Sequence, residues 1–359
     1  MIKIINIIKG DIDFIENLRG KKASFLLAVS NSRTANIKGI SQAGILDKIY
    51  LTPTLDSEFI STGEVRSLDI IAETQTGIPT PALITRAVHI LSPFGRIEIL
   101  DLGLDIQPKI KYFQVHNFDI KPSESIAKKI EGANINANLI FEKGLEFGRS
   151  YECKDDYIIL GESVPSGTTT AMATALGLGY GAENCFSSSF KDVPTTIKDA
   201  TLKLALDNIK YIDNKDIFNI LGKVGDNMLI FNAGFILGIN NRTPIVLAGG
   251  TQMASVLLVV NSILKLMGGE MDTSNLALCT TKWVAEDKNS DINTLIELLD
   301  FPINGYYANF DFSFSDNSAL QSYDYGEAKE GVGAGGALMY GLINGLTKED
   351  ITKSVESFL

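Results

Sequence analysis

Short apolar runs rich in β-branched residues alternate along the chain with longer segments of helical periodicity. This alternation is typical of a parallel sheet covered by helices, because parallel strands are joined by helical crossovers. Several runs are apolar almost throughout, as expected of strands buried on both faces. Strands are predicted in MIKIINIIKG and at residues 23–29, 48–52, 68–73, 96–102, 156–160, 244–248 and 276–280.

The remaining periodic segments predict helices at 81–92, 132–148, 168–177, 195–210, 226–239, 251–267, 291–299 and 335–345. A last helix begins at Thr347, where T-K-E-D provides a capping box. Residues 103–131 form the least regular stretch, a Ser-rich loop covers 182–195, and residues 303–330 predict a long surface loop.

The element order predicts a three-layer α/β fold, in which a mainly parallel, Rossmann-like sheet carries helices on both faces. A smaller helical part is expected from the two chain ends. We divide the chain into an N-terminal segment with extra strands and a helix (1–70), a large Rossmann-like domain carrying the site (71–330), and C-terminal helices that complete the site and the smaller part (331–359).

The amino-acid composition excludes several classes of function. The 359 residues are 45% hydrophobic, enough for a sizeable core, and the formal charge of −11 argues against a nucleic-acid partner. Two histidines and three cysteines show no zinc-ligand spacing, so we expect no metal site and a reducing cytoplasmic location. The chemistry is therefore expected to depend on carboxylates, hydroxyls and backbone amides.

One stretch is long enough to cross a membrane. The 22 residues between Arg242 and Lys265 are uncharged, but Gly249, Gly250, Thr251 and Gln252 divide them into two parts. We interpret them as a buried strand, a tight turn and a buried helix, and we expect no membrane association.

The segment DYIILGESVPSGTTTAMATALG is the first candidate for chemistry. An apolar strand leads into Glu162, and Ser166–Thr170 then opens an Ala-rich helix. A helix N-terminus offers unpaired N–H groups and partial positive charge, which favour a phosphate or carboxylate. An ordinary Ser/Thr cap is the alternative, but the position after a strand of an open α/β sheet favours a ligand site.

The segment KEGVGAGGALMYGL is the second candidate. Residues 331–336 match G-x-G-x-x-G, but no apolar strand precedes them, so they do not predict a dinucleotide site. Glu330 precedes a glycine-rich helix start, where it is either a general base or a glutamate that complements the helix dipole. Gly225, Gly249 and Gly250 mark similar turns, which together suggest one shared anion site.

Six segments in order, over roughly residues 75–345, resemble the nicotinate-nucleotide:dimethylbenzimidazole phosphoribosyltransferase family, in particular its archaeal-type branch. They are TGIPTPALITRAVHIL, RIEILDLGLD, LGESVPSGTTTAMATAL, VGDNMLIFNAGFILG, RTPIVLAGGTQMASVLL and KEGVGAGGALM. The resemblance implies transfer of the phosphoribosyl group from nicotinate mononucleotide to a nitrogenous base, giving an α-ribotide and nicotinate for cobamide lower-ligand assembly.

The resemblance also implies residue roles. Glu330 matches the family's catalytic base and Glu162 the acid of its second motif. The phosphate and ribose positions are Ser166, Gly167, Thr168, Thr169, Gly225, Gly249, Gly250, Gly331 and Gly333, and the base pocket includes Thr80 and Pro81. It further implies a homodimer that binds small molecules, with no cofactor besides the nicotinate mononucleotide substrate and no metal.

The base-binding segment departs from the family, because the family's glutamine falls on Ala82 and its aromatic residue near Thr80. The acceptor is therefore not necessarily dimethylbenzimidazole. Two alternatives stay open: a phosphoribosyltransferase that uses phosphoribosyl pyrophosphate, and a non-catalytic nucleotide-binding protein on the same scaffold.

Overall fold

The computed structural model describes residues 4–111 and 113–359. The strands are β1 (Ile5–Lys9), β2 (Ala23–Val29), β3 (Arg96–Asp101), β4 (Gln114–Asn117), β5 (Tyr157–Ser163), β6 (Ile245–Ala248), β7 (Leu276–Thr281) and β8 (Asn304–Ala308). The helices are α1 (Asp13–Glu16), α2 (Thr52–Thr62), α3 (Ala82–Leu91), α4 (Ala137–Ser150), α5 (Gly167–Gly177), α6 (Thr195–Asp207), α7 (Ile217–Val224), α8 (Asn227–Ile239), α9 (Thr251–Met267), α10 (Lys282–Ala285), α11 (Ile292–Glu297), α12 (Ser318–Asp324), α13 (Ala334–Ile343) and α14 (Lys348–Glu356).

The eight strands form one sheet in the order β1-β8-β7-β6-β5-β2-β3-β4. All neighbouring strands are parallel except β1, which pairs antiparallel with β8. After β2 the chain builds the sheet outward through β3 and β4, then returns to the other side of β2 with β5. The carboxyl ends of β2 and β5 therefore lie at a topological switch point, where open α/β sheets bind ligands.

Side chains that alternate along each strand enter two separate cores. On β5, Tyr157 and Ile159 pack into one core, and Ile158 and Leu160 pack into the other. The first core is closed by α2, α3, α13 and α14, which come from the two ends of the chain, and the second by α4, α5, α8, α9 and α11. This arrangement confirms the predicted three-layer α/β fold with a helical part built from the chain ends.

The packing of α8 on α4 depends on small residues. A Cβ atom placed on Gly234 would lie 2.2 Å from the Phe141 carbonyl oxygen, and one on Gly238 would lie 2.4 Å from that of Leu145. Glycine at both positions therefore lets the two helix backbones touch.

Three predicted elements are wrong. Residues 48–52 form a short 3₁₀ turn that leads into α2, because Pro53 favours the first helical turn. Residues 68–73 form no strand and contribute only an isolated bridge between Glu73 and Pro79. Residues 303–330 are not a surface loop, since they contain β8 and α12 and bury Phe310, Phe312 and Tyr323.

Other elements begin at a different residue from the predicted one or had not been predicted. The helix predicted from residue 132 begins at Ala137, where the Asn136 side chain caps it. The irregular stretch 103–131 contains β4, and α2 and α7 had not been predicted. The capping box at Thr347 is confirmed, because its hydroxyl oxygen accepts from the Asp350 amide and the Asp350 carboxylate accepts from the Thr347 amide.

The uncharged stretch of residues 243–264 forms β6, a turn and most of α9, as predicted. Among the described residues, no helix combines the length and the apolar character that a membrane span requires. The division into three segments stays a prediction, although β1 and β2 of the N-terminal segment belong to the same sheet as the rest.

Candidate active site

A cavity of about 890 Å³, part of it open to solvent, lies at the carboxyl ends of β5 and β6. Its walls come from the starts of α5 and α9, from residues 187–189 and 328–332, and from the N-terminal side of the chain. The cavity therefore lies at the edge of the sheet where the topology predicts a ligand site.

Glu330 is held at the cavity wall by four hydrogen bonds. Its Oε1 accepts from the amides of Gly331 and Gly335, both at 3.1 Å, and its Oε2 from the Thr281 amide at 2.9 Å and the Thr280 hydroxyl at 3.1 Å. Burial raises the pKa of Glu330 to about 7, although the hydrogen bonds oppose the rise. The carboxylate is thus fixed in position and matched to proton transfer near neutral pH.

Glu162 is the last but one residue of β5 and is 2% exposed. Its Oε1 accepts from Gln252 Nε2 at 3.1 Å and its Oε2 from the Val164 amide at 3.2 Å. Burial, followed by repulsion from Glu330 and Asp226, raises the pKa of Glu162 to about 8. At neutral pH the cavity therefore holds a protonated carboxyl beside Glu330.

The starts of α5 and α9 face each other across Gly167. A Cβ atom on Gly167 would lie 1.7 Å from Gln252 Oε1, so only glycine fits there without displacing Gln252. Ser166 Oγ and Gln252 Oε1, on two residues that line the cavity, are buried and find no hydrogen-bond partner within the described chain. Since a buried polar atom without a partner costs about 1–3 kcal/mol, a bound polar ligand would stabilise this wall.

Two buried lysines lie near residues 187–189, and one of them, Lys329, lines the cavity. Lys329 Nζ is 2.7 Å from Asp287 Oδ2, and Lys198 Nζ donates to the Ser187 carbonyl at 3.2 Å. Burial, followed by the charge of Lys329, lowers the pKa of Lys198 to about 8. Two cations facing one carboxylate leave a positive excess, which favours an anion at this wall.

The N-terminal segment adds a further carboxyl group, that of Asp56 on α2, which is also 2% exposed. Its Oδ1 accepts from the Thr80 hydroxyl at 2.8 Å and its Oδ2 from the Ser163 hydroxyl at 2.7 Å. Burial raises the pKa of Asp56 to about 6. These bonds join α2 to the end of β5 and to the segment that contains Thr80.

Most of the predicted site residues meet in this cavity. Those that line it are Thr80, Pro81, Glu162, Ser166, Gly167, Thr168, Gly250, Glu330 and Gly331. The structure thus brings together residues from both ends of the chain and from its middle.

Four predicted residues do not line the cavity, so the structure does not support a direct ligand contact for them. Thr169 is fully buried within the first turn of α5, and Gly225 ends α7. The Gly249 amide donates to the Cys279 carbonyl at 3.1 Å, and Gly333 packs against the Phe25 ring.

Asp56, Gln252, Lys198 and Lys329 were not predicted. The only sequence signals were a Thr-Pro helix start before Asp56 and a polar residue after the glycine pair in the case of Gln252. The two lysines stand next to acidic residues in sequence and carry no local signal. No three of the Asp, Glu, His and Cys side chains within residues 4–111 and 113–359 are arranged to hold a metal ion.

The fold is that of two solved structures from Thermus thermophilus. One is nicotinate-nucleotide-dimethylbenzimidazole phosphoribosyltransferase, which aligns with a TM-score of 0.57 over 93% of this chain and 83% of that chain at 14% identity. The other is CobT, with a TM-score of 0.58, 93% and 84% coverage and 14% identity. The chain therefore has the fold class of these transferases, which confirms the resemblance at the level of the fold.

The chain belongs to the UPF0284 family. It is 34% identical over 340 residues to a UPF0284 protein of Saccharolobus solfataricus, covering 94% of this chain and 92% of that protein. Members from Sulfolobus acidocaldarius and Sulfurisphaera tokodaii are each 33% identical, covering 96% and 98% of this chain and 98% and 96% of the relatives. No protein-family model matches the chain.

Proposed function

We propose that the protein transfers the phosphoribosyl group of nicotinate mononucleotide to a nitrogenous base, giving an α-ribotide and nicotinate for cobamide lower-ligand assembly. The observation that carries the proposal is Glu330, a carboxylate fixed by three amides and one hydroxyl at a cavity wall, with a pKa raised to about 7 by burial. The shared fold supports the same reaction class.

The reaction needs one base and two oriented reactants. Glu330 takes the proton from the ring N–H of the acceptor. A ring nitrogen of the acceptor, either a second one or the one that has lost the proton, attacks C1′ of the ribose. The bond between C1′ and the pyridinium nitrogen breaks, and its electron pair neutralises the leaving nicotinate ring. Attack from the opposite face inverts C1′, so that a β-nucleotide yields an α-ribotide. Orientation and proton removal together supply the catalysis.

The phosphate of the donor is assigned to the wall formed by the start of α5 and residues 187–189. At the start of α5 the Thr168 amide and Ser166 Oγ have no protein partner among the described residues, whereas the Gly167 and Thr169 amides donate to nearby carbonyls. Lys198 and Lys329 contribute positive charge beside this wall. Glu162, protonated at neutral pH because burial raises its pKa to about 8, is then free to donate to a ribose oxygen.

The test is to incubate the protein with nicotinate mononucleotide and a panel of benzimidazoles, purines and phenols, and to follow nicotinate release and ribotide mass by chromatography. Nicotinate and ribotide in equal amounts are expected. Turnover with phosphoribosyl pyrophosphate and magnesium alone would replace the proposed donor. Tight donor binding without turnover of any base would identify a non-catalytic nucleotide-binding protein.

In line with the resemblance, we expect the protein to act in the cytoplasm as a homodimer without a metal ion or an added cofactor. Sedimentation of the purified protein tests the dimer, and turnover in the presence of a chelator tests the metal independence.

A further inference from the structure

Asp56 and Glu58 lie on the same helix, α2, but their carboxylates differ in the number of hydrogen-bond donors around them. The Glu58 carboxylate accepts from the amides of Arg66, Ser67 and Lys109 at 2.7–2.9 Å and from the Ser67 hydroxyl at 2.7 Å. These four donors complete its hydrogen bonding, so Glu58 is a structural carboxylate.

Asp56 has only two donors, the hydroxyls of Thr80 and Ser163, among the described residues. A carboxylate can accept about four hydrogen bonds, so about two acceptor positions stay open on a side chain that lines the cavity. No described lysine or arginine forms an ion pair with it. A buried acid of this kind needs donors from a ligand to be fully solvated.

The partners of Asp56 place it beside the reacting groups. Ser163 follows Glu162 in β5, and Thr80 precedes Pro81, whose Cγ lies 3.7 Å from the position of a Cβ atom on Gly331, next to Glu330. The Thr85 hydroxyl also donates to the Val332 carbonyl at 2.8 Å, which ties the Thr80 segment to the Glu330 loop.

The wall around Asp56 suits a flat ring. Ile78, Pro79, Pro81, Ala72 and Val332 line the cavity together with Thr80. Apolar side chains of this kind bind the faces of an aromatic base, and a few polar groups at its rim set the orientation. Asp56 is the buried polar group at that rim. When it is ionised, its carboxylate accepts hydrogen bonds but cannot donate them.

We propose that Asp56 selects the acceptor base. It favours bases that carry an N–H donor on the six-membered ring over bases that carry methyl groups there, and adenine is the test case for the N–H donor. The inference rests on the proposed transferase function. A methyl group opposite Asp56 would bury the carboxylate without a hydrogen bond, whereas an amine would donate to it.

The experiment compares adenine with 6-methylpurine, which replaces the amine by a methyl group on the same ring, and adds 5,6-dimethylbenzimidazole as a third acceptor. For the wild-type protein we expect kcat/KM to be about 10- to 100-fold higher for adenine than for 6-methylpurine. Asp56→Asn should reduce this ratio by about the same factor, mainly through adenine.

Two variants separate selection from structural support. Ser163→Ala removes one of the two hydroxyls that hold Asp56 but keeps the carboxylate, so the preference for adenine should remain. Glu73→Gln removes an exposed acid of the same cavity and should leave the ratio unchanged. The Asp56→Asn side chain can still form hydrogen bonds to both hydroxyls, because a hydroxyl group also accepts a hydrogen bond. Thermal melting checks that each variant folds.

Equal turnover of adenine and 6-methylpurine by the wild-type protein would overturn the selection by Asp56 while leaving the transferase intact. The same conclusion follows if Asp56→Asn and Ser163→Ala lower both purines in parallel, which is the pattern of a purely structural role. Failure of every base to release nicotinate from the wild-type protein would instead overturn the proposed function, and this inference with it.

Discussion

Replacing Glu330 by Gln keeps the side-chain volume but turns one acceptor oxygen into an NH₂ donor. On the Oε1 side the new donor would face the two amides of Gly331 and Gly335, whereas on the Oε2 side it faces one amide and the Thr280 hydroxyl, which can turn to accept. The NH₂ group therefore settles on the Oε2 side and leaves the Thr281 amide without an acceptor. We expect this to lower the free energy of unfolding by about 1–3 kcal/mol.

The effect on turnover should be much larger. Loss of a general base reduces kcat by about 10²- to 10⁴-fold, while the donor, which is held by other groups, should bind with nearly the same Kd. Nicotinate release from nicotinate mononucleotide measures kcat, calorimetry measures donor binding, and urea unfolding measures stability.

Thr280→Val is the matched control. It removes one hydrogen bond to Glu330 but keeps the carboxylate, so it should cost about 1 kcal/mol of stability and lower kcat by less than about tenfold. The reasoning is refuted if a folded Glu330→Gln protein keeps more than about a tenth of the wild-type kcat, or if Thr280→Val loses as much activity as Glu330→Gln.

Three further measurements follow from the buried charges. Because the ionised form of Glu330 is the base and its pKa is about 7, kcat/KM should rise about tenfold per pH unit below that value and level off above it; a flat profile would contradict the assignment. The folded state favours uncharged Glu162, so its contribution to stability is present below about pH 4.5 and is lost as the pH rises to about 8; Glu162→Gln should flatten this decline in urea unfolding, and an unchanged slope would contradict it. Lys198→Met should raise KM for nicotinate mononucleotide about tenfold or more with little change in kcat, whereas Lys203→Met, an exposed position on the same helix, should do neither.

The elements predicted well from sequence are those whose local signal agrees with their tertiary setting. β5 is apolar from Tyr157 to Leu160 because both of its faces are covered, and the helix after it begins where the Ser/Thr cluster indicates. Glu330 was found because a carboxylate beside a glycine-rich helix start is an unusual local pattern.

The failures have a different origin. Residues 303–330 look like a surface loop because they are rich in Asn, Asp and Ser, yet the aromatic rings of Phe310, Phe312 and Tyr323 pack around Trp283. The role of Asp56 depends on hydrogen bonds from the hydroxyls of Thr80 and Ser163, which are distant in sequence. No local sequence pattern predicts contacts of such long range.

The pairing of β1 with β8 has a consequence for the order in which the molecule assembles. The Asp11 carbonyl accepts from the Tyr306 hydroxyl, 295 positions away, so the closure of this edge spans most of the chain. Contacts of such long sequence separation form late, because the entropy of closing the loop must be overcome before they contribute. Until then the edge of β8 is open to pairing with another chain. Once folding is complete the edge is β1 instead, which is only five residues long and has an irregular register between Ile7 and Lys9, two features that discourage pairing with another chain.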